Sequence, residues 1–222
     1  KYMPAGLQQE KLKNCNDKVT WGYELSKIED TDPKLFDEMV KKKVLSDNNT
    51  SAASFQFSSE NKKVVYRSSF LSGVPACLDE LVKERGVQTI VNLYSGTLNS
   101  HNELAQQERL AFQSFGGHVY TNVLNYEDNF KKLSKQEIFK KLKEIINLIE
   151  TSPGNVLIHC YGGMHRTGLV FGVMQKCLHK LPIERVLDEY KCHAAWESKE
   201  REGGYKKENE TVLREFPCAS LK

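Results

Sequence analysis

Residues 156–168 of the chain, from Val156 to Gly168, have the sequence VLIHCYGGMHRTG. The apolar residues that end at His159 predict a buried β-strand over 155–159, and those after Arg166 predict a helix over 167–181. A loop between a strand and a helix gathers backbone N–H groups at the positive end of the helix dipole. Such a loop is an anion site, and phosphate is its commonest ligand.

Two side chains of this loop predict covalent chemistry at phosphorus. Arg166 can hold two phosphate oxygens through parallel hydrogen bonds, and the backbone N–H groups of residues 161–166 can take the remaining charge. The same positive field is expected to lower the pKa of the Cys160 thiol. Cys160 is therefore predicted to be the thiolate nucleophile, while Gly162 and Gly163 let the loop turn its N–H groups inward.

The pattern of His159-Cys160, five residues, Arg166 and Thr167 resembles the signature of the cysteine-based protein tyrosine and dual-specificity phosphatases. The stretch 64–93 is also similar to the start of the compact dual-specificity phosphatase domain, so the resemblance covers residues 55–217. It implies a phosphocysteine intermediate and an α/β fold with a central, mostly parallel sheet flanked by helices.

Hydrophobic periodicity agrees with that fold class, because predicted strands alternate with predicted helices. A capping box at Ser134–Glu137 predicts a helix start. The remaining predicted elements are strands over 64–67, 87–93, 118–123 and 155–159 and helices over 76–84, 102–115, 167–181, 182–190 and 208–216.

The resemblance places His159 behind the loop, where it holds the shape of the loop and the thiolate through hydrogen bonds. A satisfied core histidine describes the same position equally well. Thr167 is predicted to donate its hydroxyl to the sulfur and so to help Cys160 leave the phosphoenzyme. The alternative for Thr167 is an ordinary residue of the first helical turn.

Other loop positions concern substrate binding. Tyr161 is predicted to shape the floor or the rim of the pocket. Met164 and His165 occupy positions where phosphoinositide phosphatases of the phosphatase-and-tensin type often carry Lys. His165 is either a weak cationic contact to a second phosphate or a solvent-facing residue. Arg67, at the end of a predicted strand, is interpreted as a surface residue rather than a substrate contact.

The general acid is expected on a separate loop that follows a predicted strand. Residues 125–130 (NYEDNF) are similar to the acid loop of the dual-specificity group, and Asp128 is the predicted acid, with Glu127 as the alternative. This loop lacks the Trp-Pro-Asp triplet of the tyrosine phosphatases that act on phosphotyrosine alone.

Three functions fit these residues. The first is a phosphomonoesterase for phosphotyrosine, and also for phosphoserine or phosphothreonine, in proteins. The second keeps the chemistry but acts on a phosphoinositide or an inositol phosphate. The third is a catalytically silent phosphate-binding module. The expected partner is therefore a phosphorylated protein, small molecule or lipid, and the small net charge of +3 does not support a nucleic acid.

Composition indicates an ordinary soluble globular protein of 222 residues, 39% of them hydrophobic and 27% charged. The predicted domains are an N-terminal extension over 1–54 and a phosphatase domain over 55–222. The extension is polar, with one short helix expected after Asp32-Pro33. No apolar run is long enough for a membrane span, and a cytoplasmic location is expected, with a removed leader or secretion as an effector left open.

Six cysteines, at positions 15, 77, 160, 177, 192 and 218, are scattered without close pairing. Because one of them is needed as a thiolate, a reducing compartment is favoured over a disulfide framework. Cys77 or Cys177 is a candidate to trap an oxidised Cys160 as a disulfide. The His and Cys residues do not have zinc-ligand spacing, so no metal and no cofactor are expected.

Overall fold

The computed structural model describes residues 12, 14, 15, 50–94, 99–123, 133–194 and 207–221, and only the backbone of residues 99–102 and 192. Within these ranges one sheet is formed by the strands β1 (Ser51–Gln56), β2 (Lys62–Ser68), β3 (Val87–Asn92), β4 (Val119–Asn122) and β5 (Asn155–His159). Their order in the sheet is β1-β2-β5-β3-β4. Strand β1 pairs antiparallel with β2, and the other neighbours are parallel.

Strand β5 lies in the middle of the sheet. Its Leu157 pairs with Tyr66 of β2 on one side and Ile90 of β3 on the other. At the carboxyl end, His159 is in register with Ser68 and Asn92. The loop after His159 therefore opens at the edge of the sheet where parallel strands end, which is where open α/β sheets bind ligands.

Helices cover both faces of the sheet. One hydrophobic cluster includes Val156 and Ile158, and the other includes Leu157, as the alternation of side chains along a strand requires. In the described ranges the helices are α1 (Pro75–Lys83), α2 (Asn99–Ser114), α3 (Lys135–Thr151), α4 (His165–Cys177), α5 (Ile183–His193), α6 (Lys207–Glu215) and a 3-10 helix (Cys218–Leu221). The first cluster packs under α3 to α6, and the second packs under α1 and α2.

Local sequence explains the start and orientation of α3. Ser134 accepts a hydrogen bond from the Glu137 N–H, and the Glu137 carboxylate accepts one from the Ser134 N–H, which completes the predicted capping box. One face of the helix is buried through Ile138, Leu142, Ile145, Ile146 and Ile149. The prediction of an α/β fold with a mostly parallel sheet is confirmed.

The sequence did not predict β1. The predicted boundary at residue 55 falls inside this strand, which pairs with β2 along its whole length. Its first residues, Ser51 to Ser54, have weak β-propensity, so the strand depends on the edge that β2 offers. The helix expected after Asp32-Pro33 lies outside the described residues.

Two disulfides correct the expectation of reduced cysteines. Cys15 is bonded to Cys77 and Cys177 to Cys218, across sequence separations of 62 and 41 residues. The sequence could not reveal these pairs because tertiary packing, not spacing, brings them together. Cys77 and Cys177 are therefore not available to trap an oxidised Cys160, whose own thiol is free and buried.

No helix within the described ranges is both long and apolar enough to cross a membrane.

Candidate active site

The loop between β5 and α4 depends on a glycine that contacts β2. Gly163 has a φ of +67°, in the left-handed region. A Cβ at this position would lie 2.5 Å from the carbonyl carbon and oxygen of Ser68. Any other residue would be strained and would push the loop away from the sheet. The next residue, Met164, is the N-cap of α4 and makes no side-chain capping hydrogen bond.

Arg67 holds the same loop from inside the protein. Its side chain is buried, and its Nη2 donates a hydrogen bond to the Gly163 carbonyl oxygen at 2.8 Å. The guanidinium also lies over the Phe171 ring, 5.2 Å from the centroid. Burial lowers the pKa of Arg67 to about 10, opposed by the carboxylate of Glu189, so the side chain remains a cation at neutral pH. The interpretation of Arg67 as a surface residue is wrong, since position 67 faces the core beneath the loop.

Arg166, in the first turn of α4, is held by residues that follow β3. Its Nη1 donates to the Leu93 carbonyl oxygen at 2.7 Å. Its guanidinium lies over the Tyr94 ring, 5.3 Å from the centroid. These two contacts fix the plane of the guanidinium at the end of the loop opposite Cys160.

Cys160 directly follows β5 and is 5% exposed. Burial alone raises the pKa of its thiol, but the charge of Arg166, hydrogen bonds from the Thr167 hydroxyl and N–H, and the charge of His159 outweigh burial. The net result is a lowered thiol pKa, as the sequence predicted. The buried Thr167 hydroxyl makes no aligned hydrogen bond within the described residues, although its proximity to the Cys160 sulfur lowers the pKa of the thiol.

His159 is fully buried behind Cys160. Its Nε2 lies 2.7 Å from Oε2 of Glu108, and its Nδ1 lies 3.3 Å from the Cys160 carbonyl oxygen. Burial lowers the pKa of His159, but the carboxylate of Glu108 together with the carbonyl and the charge of Cys160 outweighs burial, so the net pKa is raised. The position behind the loop matches the one that the family resemblance implies.

Glu108 was missed at the level of sequence. It is 0% exposed and lies on α2, on the same face as the half-buried Ala111 and the buried Phe112. The signal that could have revealed it is a carboxylate in the apolar stripe of an amphipathic helix, because a buried carboxylate needs a buried partner. The identity of that partner could not be obtained from the periodicity.

Aromatic side chains surround the outer side of the loop. Tyr161 is 56% exposed, and its ring centroid lies 5.8 Å from that of Tyr94. Phe70 packs edge-on against Tyr94 with centroids 5.7 Å apart, and its N–H donates to the Tyr161 carbonyl oxygen at 3.2 Å. We call Phe70, Tyr94 and Tyr161 the aromatic rim. Of the two positions predicted for Tyr161, its exposure agrees with the rim.

His165 makes a specific contact with α5. Its Nδ1 lies 3.0 Å from the Tyr190 hydroxyl, which also accepts a hydrogen bond from Asn209 Nδ2 at 2.6 Å. His165 is half-buried, as are Gly162 and Met164. The structure thus brings together all the predicted loop residues.

The predicted general acid Asp128 and its alternative Glu127 lie outside the described residues. Within the described ranges, no group of three or more His, Cys, Asp or Glu side chains is arranged to hold a metal ion.

A buried thiol of lowered pKa, an arginine on the first turn of a helix and a strand-loop-helix on a mostly parallel sheet define a cysteine-based phosphatase site. A family model described as "Tyrosine phosphatase family" matches residues 51–208. The chain belongs to this family.

Individual relatives are more distant. The chain is 44% identical to inositol diphosphatase DSP2 of Arabidopsis thaliana over 57 residues, which are 25% of this chain and 22% of that protein. The match thus spans about a fifth of the length of this curated relative. The structure of the core catalytic domain of the PP-IP phosphatase SIW14 from S. cerevisiae is 22% identical, with a TM-score of 0.50 over 71% of this chain and 84% of that one. TpbA of P. aeruginosa is 17% identical, with a TM-score of 0.46 over 71% and 83%.

Proposed function

We propose that this protein hydrolyses phosphate monoesters through a covalent phosphocysteine at Cys160. The observation that carries the proposal is the free, buried Cys160 thiol directly after β5, with Arg166 on the first turn of α4. A thiolate attacks phosphorus in line with the leaving oxygen while the guanidinium and loop N–H groups stabilise the equatorial oxygens. Two arginines fixed around the loop, Arg67 and Arg166, make such a site rigid before substrate binds.

The two chemical steps balance with residues of this chain. In the first step the S–P bond forms, the P–O bond to the leaving group breaks, and Asp128 donates a proton to the leaving oxygen. In the second step water attacks phosphorus, gives a proton back to Asp128, and the S–P bond breaks. The hydroxyl of Thr167 stabilises the departing thiolate.

Phosphotyrosine is the substrate that we favour. The aromatic rim of Phe70, Tyr94 and Tyr161 offers ring faces beside the loop, and aromatic pairs contribute about 0.5–1.5 kcal/mol beyond simple area burial. Phosphoserine and phosphothreonine in proteins would be poorer substrates because they lack the ring.

An inositol phosphate is the second candidate. The identity to inositol diphosphatase DSP2 over 57 residues supports it. Against it, loop positions 161–165 carry His165 but neither Lys nor Arg, so the additional phosphates of such a ligand would meet few cations. A silent phosphate-binding module is disfavoured because both Cys160 and Arg166 are present.

The cysteines support a proposal about the compartment. Disulfides form and persist where the environment is oxidising. The bonds Cys15–Cys77 and Cys177–Cys218 therefore favour such a compartment over the cytoplasm that was expected from sequence.

Phosphate release from phosphotyrosine peptides, phosphoserine and phosphothreonine peptides, phosphoinositides and inositol phosphates, diphosphates included, tests the proposal. We expect the highest kcat/KM for phosphotyrosine peptides, and we expect Cys160→Ser to abolish release from every substrate while phosphate still binds. A higher kcat/KM for inositol diphosphates would replace the first candidate by the second. Appreciable turnover by Cys160→Ser would contradict the phosphocysteine.

The same assay tests the acid. Asp128→Asn is expected to slow hydrolysis of phosphotyrosine by about 10²–10⁴-fold, and that of an activated phenyl phosphate much less. Glu127→Gln is the matched control and should be mild on both. Equal slowing of good and poor leaving groups would show that Asp128 is not the acid.

A further inference from the structure

Three groups from distant parts of the chain contact the buried carboxylate of Glu108. Its Oε1 accepts the Leu71 N–H at 2.6 Å. Its Oε2 accepts the Tyr120 hydroxyl at 2.8 Å and lies 2.7 Å from His159 Nε2. A carboxylate without solvent contact remains ionised only where hydrogen bonds and an opposite charge compensate for lost hydration. Two neutral donors satisfy part of this requirement, and His159 is the group that can supply the charge.

The surroundings of His159 favour that charge, although the Nε2 contact with Glu108 is at an ion-pair distance and is not aligned as a hydrogen bond. Its Nε2 faces a carboxylate and its Nδ1 faces the Cys160 carbonyl oxygen at 3.3 Å. A carboxylate and a carbonyl are both acceptors, whereas a neutral imidazole carries only one N–H. Both nitrogens are donors only in the imidazolium form.

We propose that Glu108 is a positioning residue that keeps His159 protonated and thereby holds Cys160 as the thiolate. The proposal deepens the proposed function and rests on Cys160 being its nucleophile. Glu108 does not contact substrate. Its own negative charge would disfavour a nearby thiolate, so its effect depends on the imidazolium that lies between the two.

The direction of the electrostatic effects agrees with this arrangement. Burial is the largest single influence and lowers the pKa of His159, but the charge and proximity of Glu108, together with the carbonyl and the charge of Cys160, outweigh it. The charge of His159 in turn lowers the pKa of the Cys160 thiol. Burial and the carboxylate of Glu108 raise the pKa of Tyr120, so this phenol remains a hydrogen-bond donor to Glu108.

Other groups also act on the nucleophile, and they set the size of the expected change. Arg166 is the largest favourable influence on the Cys160 thiolate, followed by Thr167. Removal of the His159 charge should therefore weaken the lowering of the thiol pKa without abolishing it. The remaining charged or titratable groups that interact with Cys160 in the described ranges are Arg67 on β2 and Tyr190 on α5.

Glu108→Gln tests the proposal because the amide keeps the shape of the side chain and removes its charge. The readout is the pH dependence of Cys160 alkylation by iodoacetamide, followed by peptide mapping. We expect the midpoint to move to higher pH by about 1 pH unit or more, as the loss of a neighbouring opposite charge does. The acid limb of kcat/KM should move in the same direction.

Glu80→Gln is the matched control. Glu80 is also a buried glutamate; its Oε2 accepts a backbone N–H, that of Asn14, at 2.7 Å, and its Oε1 lies 3.6 Å from Arg85 Nη2. It lies on α1, away from the loop, so its substitution should change stability without moving the alkylation midpoint. An unchanged midpoint in folded Glu108→Gln would overturn the proposal and leave Glu108 with a structural role only.

A second measurement uses the unsubstituted protein and does not depend on a variant that folds. Nitrogen-15 spectra of the histidine side chains should show that His159 keeps both ring nitrogens protonated at a pH just above the usual histidine pKa of about 6.5, where an ordinary imidazole has lost its proton. A neutral His159 at that pH would overturn the proposal. Neither alkylation nor these spectra need a substrate, so failure of the proposed function would be seen separately, as absent turnover.

Discussion

Arg67 is a buried cation that supports the loop between β5 and α4 through a hydrogen bond to the Gly163 carbonyl oxygen. This hydrogen bond joins residues 96 apart in sequence, and Glu189 is the acidic group that most favours the charged form of Arg67. Removing the donor of a buried hydrogen bond is costly, because the acceptor is left buried without a partner. Arg67 is thus important to both the stability of the fold and the shape of the loop.

Arg67→Met tests that dual role, since Met fills much of the same volume without charge. We expect the free energy of unfolding to fall by about 1–3 kcal/mol, the cost of leaving the Gly163 carbonyl buried without its donor. Urea unfolding measures the loss. Arg214→Met is the control, because Arg214 is 40% exposed in its ion pair with Glu184 and an exposed pair contributes little. Equal losses in the two variants would mean that the charge of Arg67 is not what stabilises the core.

The roles of the side chains at the site differ in how well the sequence predicts them. Cys160, Arg166 and Thr167 lie close together in sequence, at the two ends of one loop, so their spacing predicted a phosphate site. Arg67 and Glu108 reach the same site from β2 and α2, and their roles depend on contacts with residues far away in sequence. No local pattern contains that information.

At the scale of elements, α4 is the helix that connects the site to the core. Residues 167–175 of this helix are all buried, and two of them are glycines. A Cβ at Gly168 would lie 2.5 Å from the Tyr190 ring, whose hydroxyl is held by His165 and Asn209. These glycines let α4 approach α5 and α6 closely.

Gly168→Ala is expected to lower the free energy of unfolding by about 1–3 kcal/mol, since overpacking must displace a fixed ring. Gly172→Ala is the matched control. Its Cβ would lie 2.8 Å from the Cδ2 of Leu213, the end of a flexible side chain, and alanine favours a helix by about 0.5–1 kcal/mol over glycine. Thermal unfolding should therefore show a smaller loss for Gly172→Ala, and the reverse order would contradict this account of α4.

Elements with strong local signals were predicted well, and the others were not. The bounds of β5 agree with the prediction, and the capping box placed the start of α3. Strand β1 has small polar residues and no comparable signal, so only its pairing with β2 defines it. The predicted helix over 167–181 instead covers His165–Cys177, and Lys180 beyond it has a φ of +55°.

At the scale of the whole molecule, the two disulfides join distant parts of the chain. Cys15–Cys77 ties residue 15 to α1, and Cys177–Cys218 ties the end of α4 to the 3-10 helix near the C-terminus. The proposed catalysis nevertheless requires that Cys160 remain a thiol. The protein would therefore keep Cys160 reduced and reactive while four other cysteines are oxidised.

Peptide mapping without reduction should recover both disulfide-linked pairs, and iodoacetamide should label Cys160 before any reductant is added.

If a disulfide acts by closing a loop in the unfolded chain, bonds that span 62 and 41 residues stabilise the fold by about 4 kcal/mol each, and measured values are commonly about 2–4 kcal/mol. The double variant Cys177→Ser/Cys218→Ser should lose about that much in urea unfolding, and Cys15→Ser/Cys77→Ser serves as its counterpart at the other end of the chain. If dithiothreitol left the unfolding midpoint of the unsubstituted protein unchanged, the disulfides would not stabilise it. If dithiothreitol instead unfolded the protein without first raising its turnover, folding would depend on the disulfides and so on the oxidising compartment proposed above. Cys160 would then have to stay reduced because its thiol is buried.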